Sequence, residues 1–100
     1  KRLKIEQNIV YNPKSELTYI YLSKIYNKKN KKNLEEKNLN TVMLLNPKNE
    51  EAIYNLAKLK LTASDYKKSI ELNKKLKLIC SEFCIKSDKL KIEIENLSKK

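Results

Sequence analysis

The feature that most constrains the fold of this chain is a repeat at an interval of 34 residues. The tripeptide Asn12-Pro13-Lys14 returns as Asn46-Pro47-Lys48. The same offset relates four further pairs of identical residues, which are Glu16 and Glu50, Leu22 and Leu56, Lys24 and Lys58, and Leu44 and Leu78. Such an interval is typical of proteins built from one supersecondary unit that buries its apolar face by stacking on copies of itself.

The composition favours helices over strands. The 100 residues contain no Gly and only two Pro, and without Gly the tight turns of β-hairpins are difficult to form. An apolar content of 40% is enough for a modest core in one domain. No apolar run reaches the roughly 18 residues of a membrane-spanning helix, so we predict no transmembrane segment. Because the chain begins without Met or an apolar signal core, we expect it to be a piece of a longer protein.

Apolar residues recur at helical spacing on both sides of each Asn-Pro pair. Leu17, Tyr21 and Ile25 stand four residues apart, which predicts an amphipathic helix. Ser15 is a suitable N-cap for this helix, and Asp65 is a suitable N-cap for a later one. The resulting prediction is an all-α chain with antiparallel helices near residues 1–11, 15–28, 33–45, 50–62, 65–80 and 87–98.

The last quarter of the chain admits two interpretations. A continuous four-three rhythm, which would suit one long helix, runs through Leu76, Cys80, Phe83, Ser87, Leu90, Ile94 and Leu97. Alternatively, the helix breaks near residues 81–87, and Ser87-Asp88 caps a short final helix. We favour the break because Ser and Asp are better suited to helix caps than to helix interiors.

The long period and the paired helices resemble the tetratricopeptide repeat (TPR) family. The best match is the unit 50–83, in which the family's typical residue types are found at Glu50, Ala52, Asn55, Leu56, Ala57, Asp65, Tyr66 and Ile70. In the unit 16–49 the matching residues are Tyr19, Leu22, Ser23, Tyr26, Leu39 and Pro47. The sequence departs from the family pattern at Glu35, Lys60, Ser69, Asn73 and Ser81.

The resemblance implies antiparallel helix pairs stacked as a fragment of a right-handed solenoid. It implies that residues 1–11 are the second helix of an incomplete upstream repeat and that residues 12–45 and 46–83 are repeats. Residues 84–100 would then form a C-terminal capping helix.

In this family the first helix of each pair lines a concave groove, so the resemblance implies a module that binds a partner peptide or helix. By analogy, the groove is lined by Leu17, Ile20, Tyr21, Lys24 and Lys28 from one unit and by Glu51, Tyr54, Asn55, Lys58 and Thr62 from the next. The residues predicted to contact the peptide are Tyr21, Lys24, Lys28, Tyr54, Asn55 and Lys58. Their Tyr rings and ammonium groups suit an acidic peptide or one with an apolar anchor. In the alternative interpretation the Tyr residues pack within the fold, and the Lys residues are merely solvated.

Other classes of function find less support in the residues. Without His, a Gly-rich phosphate loop or convergent carboxylates, we predict no catalysis and no cofactor. Cys80 and Cys84 lie four residues apart with no further Cys or His, so we predict no metal site and expect two reduced thiols. Reduced thiols indicate a cytoplasmic protein, with the nucleus as an alternative.

The net charge of +11 supports a second hypothesis for function. A scaffold repeat with a basic surface would bind RNA or another polyanion nonspecifically, with strong salt dependence. The excess of Lys and Asn is also typical of AT-rich coding sequences, so charge alone does not favour this hypothesis over binding to a protein.

Overall fold

The structure, a computed structural model, describes residues 15–99 of the chain. This part contains five helices and no strand, so the predicted all-α class is confirmed. The helices are α1 (Glu16–Lys28), α2 (Lys32–Leu45), α3 (Glu50–Thr62), α4 (Tyr66–Ile79) and α5 (Cys84–Ser98). The predicted helix near residues 1–11 lies outside the described residues.

The helices follow the period of the sequence. Helices α1, α3 and α5 begin at Glu16, Glu50 and Cys84, and helices α2 and α4 begin at Lys32 and Tyr66. Each start therefore lies one sequence period from its equivalent. The chain divides into two compact units, Lys1–Pro47 and Lys48–Lys100. Within the described residues the first unit contains α1 and α2, and the second contains α3, α4 and α5.

In the first unit, α1 and α2 form an antiparallel hairpin that is linked by hydrogen bonds at both ends. Near the connection, Asn27 Nδ2 donates to both carboxylate oxygens of Glu35, at 3.2 and 3.3 Å. At the open end, Asn46 Nδ2 donates to Glu16 Oε1 at 3.0 Å. The bond with Asn27 satisfies the carboxylate of Glu35, which the fold buries. The buried apolar side chains of this hairpin are Ile20, Leu39 and Val42.

The turn of the first hairpin recurs in the second. Asn30 adopts a φ of 58°, and Ser64, its equivalent one period later, adopts a φ of 62°. Both values lie in the left-handed region that commonly closes a helix. In the first turn the N–H of Lys31 donates to the Tyr26 carbonyl, and in the second the N–H of Asp65 donates to the Lys60 carbonyl, both at 2.9 Å. The same backbone turn is therefore built twice from different side chains.

In the second unit, α3 and α4 pair with each other, and α5 packs against both of them. Helix α5 begins one sequence period after α3 and packs on the α3–α4 hairpin that precedes it. The buried apolar side chains of this unit come from all three helices and are Ala52, Ile53, Leu56, Ala57, Leu59, Leu61, Leu72, Leu76, Leu90 and Ile94.

The predicted break after α4 is confirmed, and the alternative of one long helix is wrong. The predicted cap is wrong too, because α5 begins at Cys84 and Ser87 lies inside it. Ser87 Oγ donates to Oδ1 of the buried Asn73 at 2.8 Å, and Asn73 Nδ2 donates to the Ser87 carbonyl at 3.0 Å. The hydroxyl of Ser87 therefore joins α4 to α5, and neither Ser87 nor Asp88 caps the helix.

A side chain from α3 holds the start of α5 instead. The carboxylate of Glu50 accepts hydrogen bonds from the backbone N–H groups of Ser81, Glu82 and Phe83, at 2.9–3.1 Å. It also accepts one from the hydroxyl of Ser81 at 3.0 Å. The N–H groups at a helix N-terminus carry partial positive charge, so a carboxylate is favourable there. Glu50 thus holds the segment that leads into α5, whose N-cap residue, Phe83, makes no side-chain cap bond.

A disulfide joins Cys80 to Cys84 across the same break, with their Cα atoms 5.3 Å apart. The expectation of two reduced thiols is therefore wrong. That expectation placed the two residues one turn apart on a helix, whereas the chain turns between them and lets the sulfur atoms meet. The predicted cytoplasmic localisation depended on reduced thiols and loses that support, because disulfides persist mainly in oxidising compartments.

Candidate functional site

Helix α1 presents a stripe of mixed apolar and basic side chains. Leu17, Tyr21, Lys24 and Lys28 follow one another at steps of four, three and four, which places them on one helix face. All four are exposed, and Leu17 and Tyr21 leave 56% and 40% of their surface open to solvent. Ile20, also predicted to line the groove, is instead buried. The structure therefore brings Tyr21, Lys24 and Lys28 together on one exposed face, which we call the α1 face.

The N-terminus of α1 is capped by Ser15, as the sequence predicted. The Oγ of Ser15 accepts a hydrogen bond from the N–H of Thr18 at 3.4 Å, so the predicted N-cap is confirmed. At the other end, Lys28 lies in the last turn, where a positive charge interacts favourably with the helix dipole.

Tyr54 on α3 is the equivalent, one period later, of the buried Ile20, and α5 covers part of its ring. That ring lies against the ring of Phe83, with centroids 5.6 Å apart and planes inclined by 57°. Lys86 Nζ lies 5.6 Å from the Tyr54 centroid and 4.7 Å from that of Phe83, within the range of cation–π attraction. Tyr54 therefore contacts Phe83 and Lys86 within the second unit.

Lys58 is also engaged within the second unit. Its Nζ lies 3.1 Å from Glu93 Oε1 on α5, and the two side chains are 39% and 45% exposed. An ion pair this exposed contributes little stability, on the order of 0.2–1 kcal/mol. Asn55 is half-buried on the same helix. The six predicted contact residues thus form two sets of three, and only the set on α1 is exposed throughout.

Two exposed apolar residues of α5 were missed in the prediction of the groove. Ile85 and Ile92 are 71% and 58% exposed and lie two helical turns apart on one face, with Lys89 between them. They are the equivalents of Glu51 and Lys58 in the next period of the sequence. Extending the repeat by one more period would therefore have added them to the groove residues.

Two carboxyl groups have shifted pKa values. Both form hydrogen bonds that link segments within one unit, and neither lies on the exposed helix faces described above. Burial raises the pKa of Glu35, while the hydrogen bond from Asn27 and the charge of Lys32 act in the opposite direction. The pKa of Glu50 is lowered, chiefly by the hydrogen bond from the N–H of Phe83.

No family model matches the chain, and no curated protein is significantly similar to it in sequence. Among residues 15–99, no three His, Cys, Asp or Glu side chains are grouped in a way that could hold a metal ion. No helix in that range combines the length and apolar composition that are needed to cross a bilayer. The exposed helix faces are the candidate binding surfaces.

Proposed function

We propose that the chain is a TPR-type module, a fragment of a right-handed solenoid, and that it binds a peptide or helix of a partner protein. The observation that carries this proposal is the recurrence, one sequence period later, of a helical hairpin with the same turn. Repeats of this kind bury their apolar faces by stacking and present extended binding surfaces.

Two contacts within the units support the stacking of repeats. Each hairpin begins with a glutamate that holds the segment after its second helix, because Glu16 accepts a bond from Asn46 and Glu50 accepts bonds from residues 81–83. Helix α5 begins one period after α3 and packs on the α3–α4 hairpin, as the first helix of a further repeat would.

The chemistry of the α1 face supports a protein partner with an acidic segment and an apolar anchor. Leu17 and Tyr21 offer exposed apolar surface one turn apart, and the Tyr hydroxyl can exchange hydrogen bonds with a peptide. Lys24 and Lys28 place two ammonium groups further along the same face, where they can attract carboxylates. A peptide with Asp or Glu next to a Leu or aromatic residue matches this order.

The test is fluorescence anisotropy with labelled acidic peptides that carry one Leu or aromatic anchor. Tyr21→Ala and Lys28→Ala should each weaken binding, and the double variant should weaken it by roughly tenfold or more, as expected for anchor residues of an interface. The matched controls are Leu44→Ala and Lys37→Ala, which remove an exposed apolar and an exposed basic side chain from α2. These two variants should bind the peptide like the unmodified chain.

The rival hypothesis, a scaffold that binds polyanions through its total charge, predicts a different outcome. Single-stranded RNA would then bind at least as well as the peptides, with affinity that falls steeply as salt rises. Each lost phosphate contact would lower the log–log slope by about 0.7–0.9, wherever the Lys lies. Equal losses for Lys28→Ala and Lys37→Ala would therefore reject the α1 face as the binding site.

A further inference from the structure

Positive charge is unevenly distributed among the helices. Helix α4 contains five Lys and one Glu, whereas α2, α3 and α5 each contain as many acidic residues as Lys residues. Helix α1 contains two Lys and one Glu. A general preference for Lys codons would enrich all helices in Lys to a similar degree, so it does not account for the excess of Lys in α4.

The basic residues of α4 surround an exposed leucine. Lys67, Lys74 and Leu78 follow one another at steps of seven and four, so they lie on one face, opposite the buried Leu72 and Leu76. The exposed Glu71 lies between them on the same face. Leu78 is 86% exposed, more than any other large hydrophobic residue that the structure describes. We call this surface the α4 face.

Three of the five Lys side chains of α4 form no ion pair with an acidic residue among residues 15–99. Lys68 lies 3.8 Å from Glu71, and Lys77 lies 2.9 Å from Asp88 on α5. Within residues 15–99, no acidic side chain pairs with the remaining three, which are Lys67, Lys74 and Lys75.

We infer that the α4 face binds the surface of a membrane that contains anionic lipids. Lys residues held near such a surface are attracted to its headgroups, each strengthening binding roughly fivefold, and an exposed Leu can enter the boundary between headgroups and acyl chains. Nucleic acid fits the face less well, because a phosphate backbone gives no favourable environment to Leu78. The face also lacks the exposed aromatic rings on which bases stack; the one aromatic residue of α4, Tyr66, is half-buried.

Helix α2 provides an internal comparison. Leu44, one period before Leu78, is 84% exposed, so both helices present a leucine at the same place. The residues equivalent to the three unpaired Lys of α4 are Asn33, Asn40 and Thr41. On the face of Leu44, α2 has a single Lys, Lys37, at the position equivalent to Glu71, and the helix as a whole has no net charge, so we expect it not to bind the membrane.

The test is co-sedimentation of the chain with two kinds of vesicle, phosphatidylcholine alone and phosphatidylcholine mixed with phosphatidylserine, across a salt series. Binding should require phosphatidylserine and should weaken as salt rises. Replacing Lys67, Lys74 and Lys75 together by Gln should lower the partition coefficient by roughly tenfold or more, whereas replacing them by Arg should preserve binding.

Two controls distinguish binding by the α4 face from nonspecific attraction by the total charge of the chain. Replacing Lys29, Lys31 and Lys99 by Gln removes the same charge from exposed positions outside α4 and should have little effect. Leu78→Ser should weaken vesicle binding, whereas Leu44→Ser should not. All these positions except the half-buried Lys75 are exposed, and circular dichroism checks that each variant is folded.

Three results would overturn the inference. The first is no binding to phosphatidylserine vesicles at low salt. The second is an equal loss for the two triple Lys→Gln variants, which would show nonspecific attraction. The third is binding to single-stranded RNA that exceeds vesicle binding and is unaffected by Leu78→Ser, which would make nucleic acid the partner. The inference does not depend on peptide binding by the α1 face, and the two assays fail or succeed separately.

Discussion

The Glu50 carboxylate lies 2.9 Å from the backbone nitrogen of Phe83, 33 residues further along the chain. The bond joins the first residue of α3 to the N-cap residue of α5. The backbone N–H groups of Ser81 and Glu82, in the connection that leads into α5, donate to the same carboxylate. The charge of Glu50 should therefore control how firmly α5 is held.

Glu50→Gln should destabilise the second unit at neutral pH, and the difference from the unmodified chain should disappear in acid. The hydrogen bonds lower the folded-state pKa below 4.5, so the stabilisation is present above about that pH and is lost as pH falls through the folded pKa. Urea denaturation at neutral and acidic pH measures the difference. Glu95→Gln, which removes a charge from an exposed position of α5, is the control and should not show this pattern.

Reduction of the Cys80–Cys84 disulfide should also destabilise the second unit. Closing a loop this short stabilises the folded state by about 2 kcal/mol in the chain-entropy model. Thermal denaturation with and without a thiol reductant measures this effect, and the double variant Cys80→Ser with Cys84→Ser should not respond to the reductant. An unchanged melting temperature after complete reduction would show that Glu50 and the packing of α5 suffice to hold the break.

Glu35→Gln should make the first unit less sensitive to pH. Burial raises the folded-state pKa of Glu35 above 4.5, so this group favours folding most at low pH and does so less as pH rises through the folded pKa. Gln keeps the size of the side chain and can still accept the bond from Asn27. We therefore expect the Gln variant to be at least as stable as the unmodified chain at neutral pH.

The measurement is urea denaturation followed by circular dichroism at several pH values. Glu35→Ala serves as the comparison because it leaves Asn27 without its acceptor, and it should be destabilised at every pH. A Gln variant that is clearly less stable at neutral pH would show that the ionised carboxylate gains more from Asn27 and Lys32 than burial costs.

Sequence periodicity predicted the helices from Glu16 to Ile79 because their signals are local. Ser15 and Asp65 cap the helices that follow them, and apolar spacing marks the buried faces. The start of α5 could not be predicted in this way. Its anchor, Glu50, lies on a helix much earlier in the chain, and the expected cap, Ser87, is used by Asn73 from α4.

The candidate site was predictable only as two sets of residues on the first helices of the repeats. Tyr21 and Tyr54 lie on corresponding helices but at different positions of the repeat, because Tyr54 is equivalent to the buried Ile20 and Tyr21 to Asn55. Tyr54 packs within its unit because Phe83, just before α5, and Lys86 of α5 lie against its ring. No residue that the structure describes makes an equivalent ring contact with Tyr21, so that ring is left 40% exposed.

Leu56→Ala should be among the more damaging single substitutions in the second unit. Leu56 is only 3% exposed, and removing a buried Leu side chain costs about 2–5 kcal/mol. Leu78→Ala removes the same atoms from a side chain that is 86% exposed, so it should change stability by no more than about 0.5 kcal/mol. Chemical denaturation of the two variants measures the contrast, and similar losses would mean that the buried face of α3 is misassigned.

Substitution of Tyr54 should mainly affect stability, and substitution of Tyr21 should mainly affect peptide binding. Tyr54→Ala removes the ring that contacts Phe83 and Lys86, so it should destabilise the second unit by about 1–3 kcal/mol. Tyr21→Ala removes an exposed ring and should change stability by about 0.5 kcal/mol or less while weakening binding of the acidic peptide. Denaturation and anisotropy on the same two proteins measure both effects. If Tyr21→Ala proved the more destabilising and left peptide binding intact, the ring would be a packing residue and the α1 face would lose its anchor.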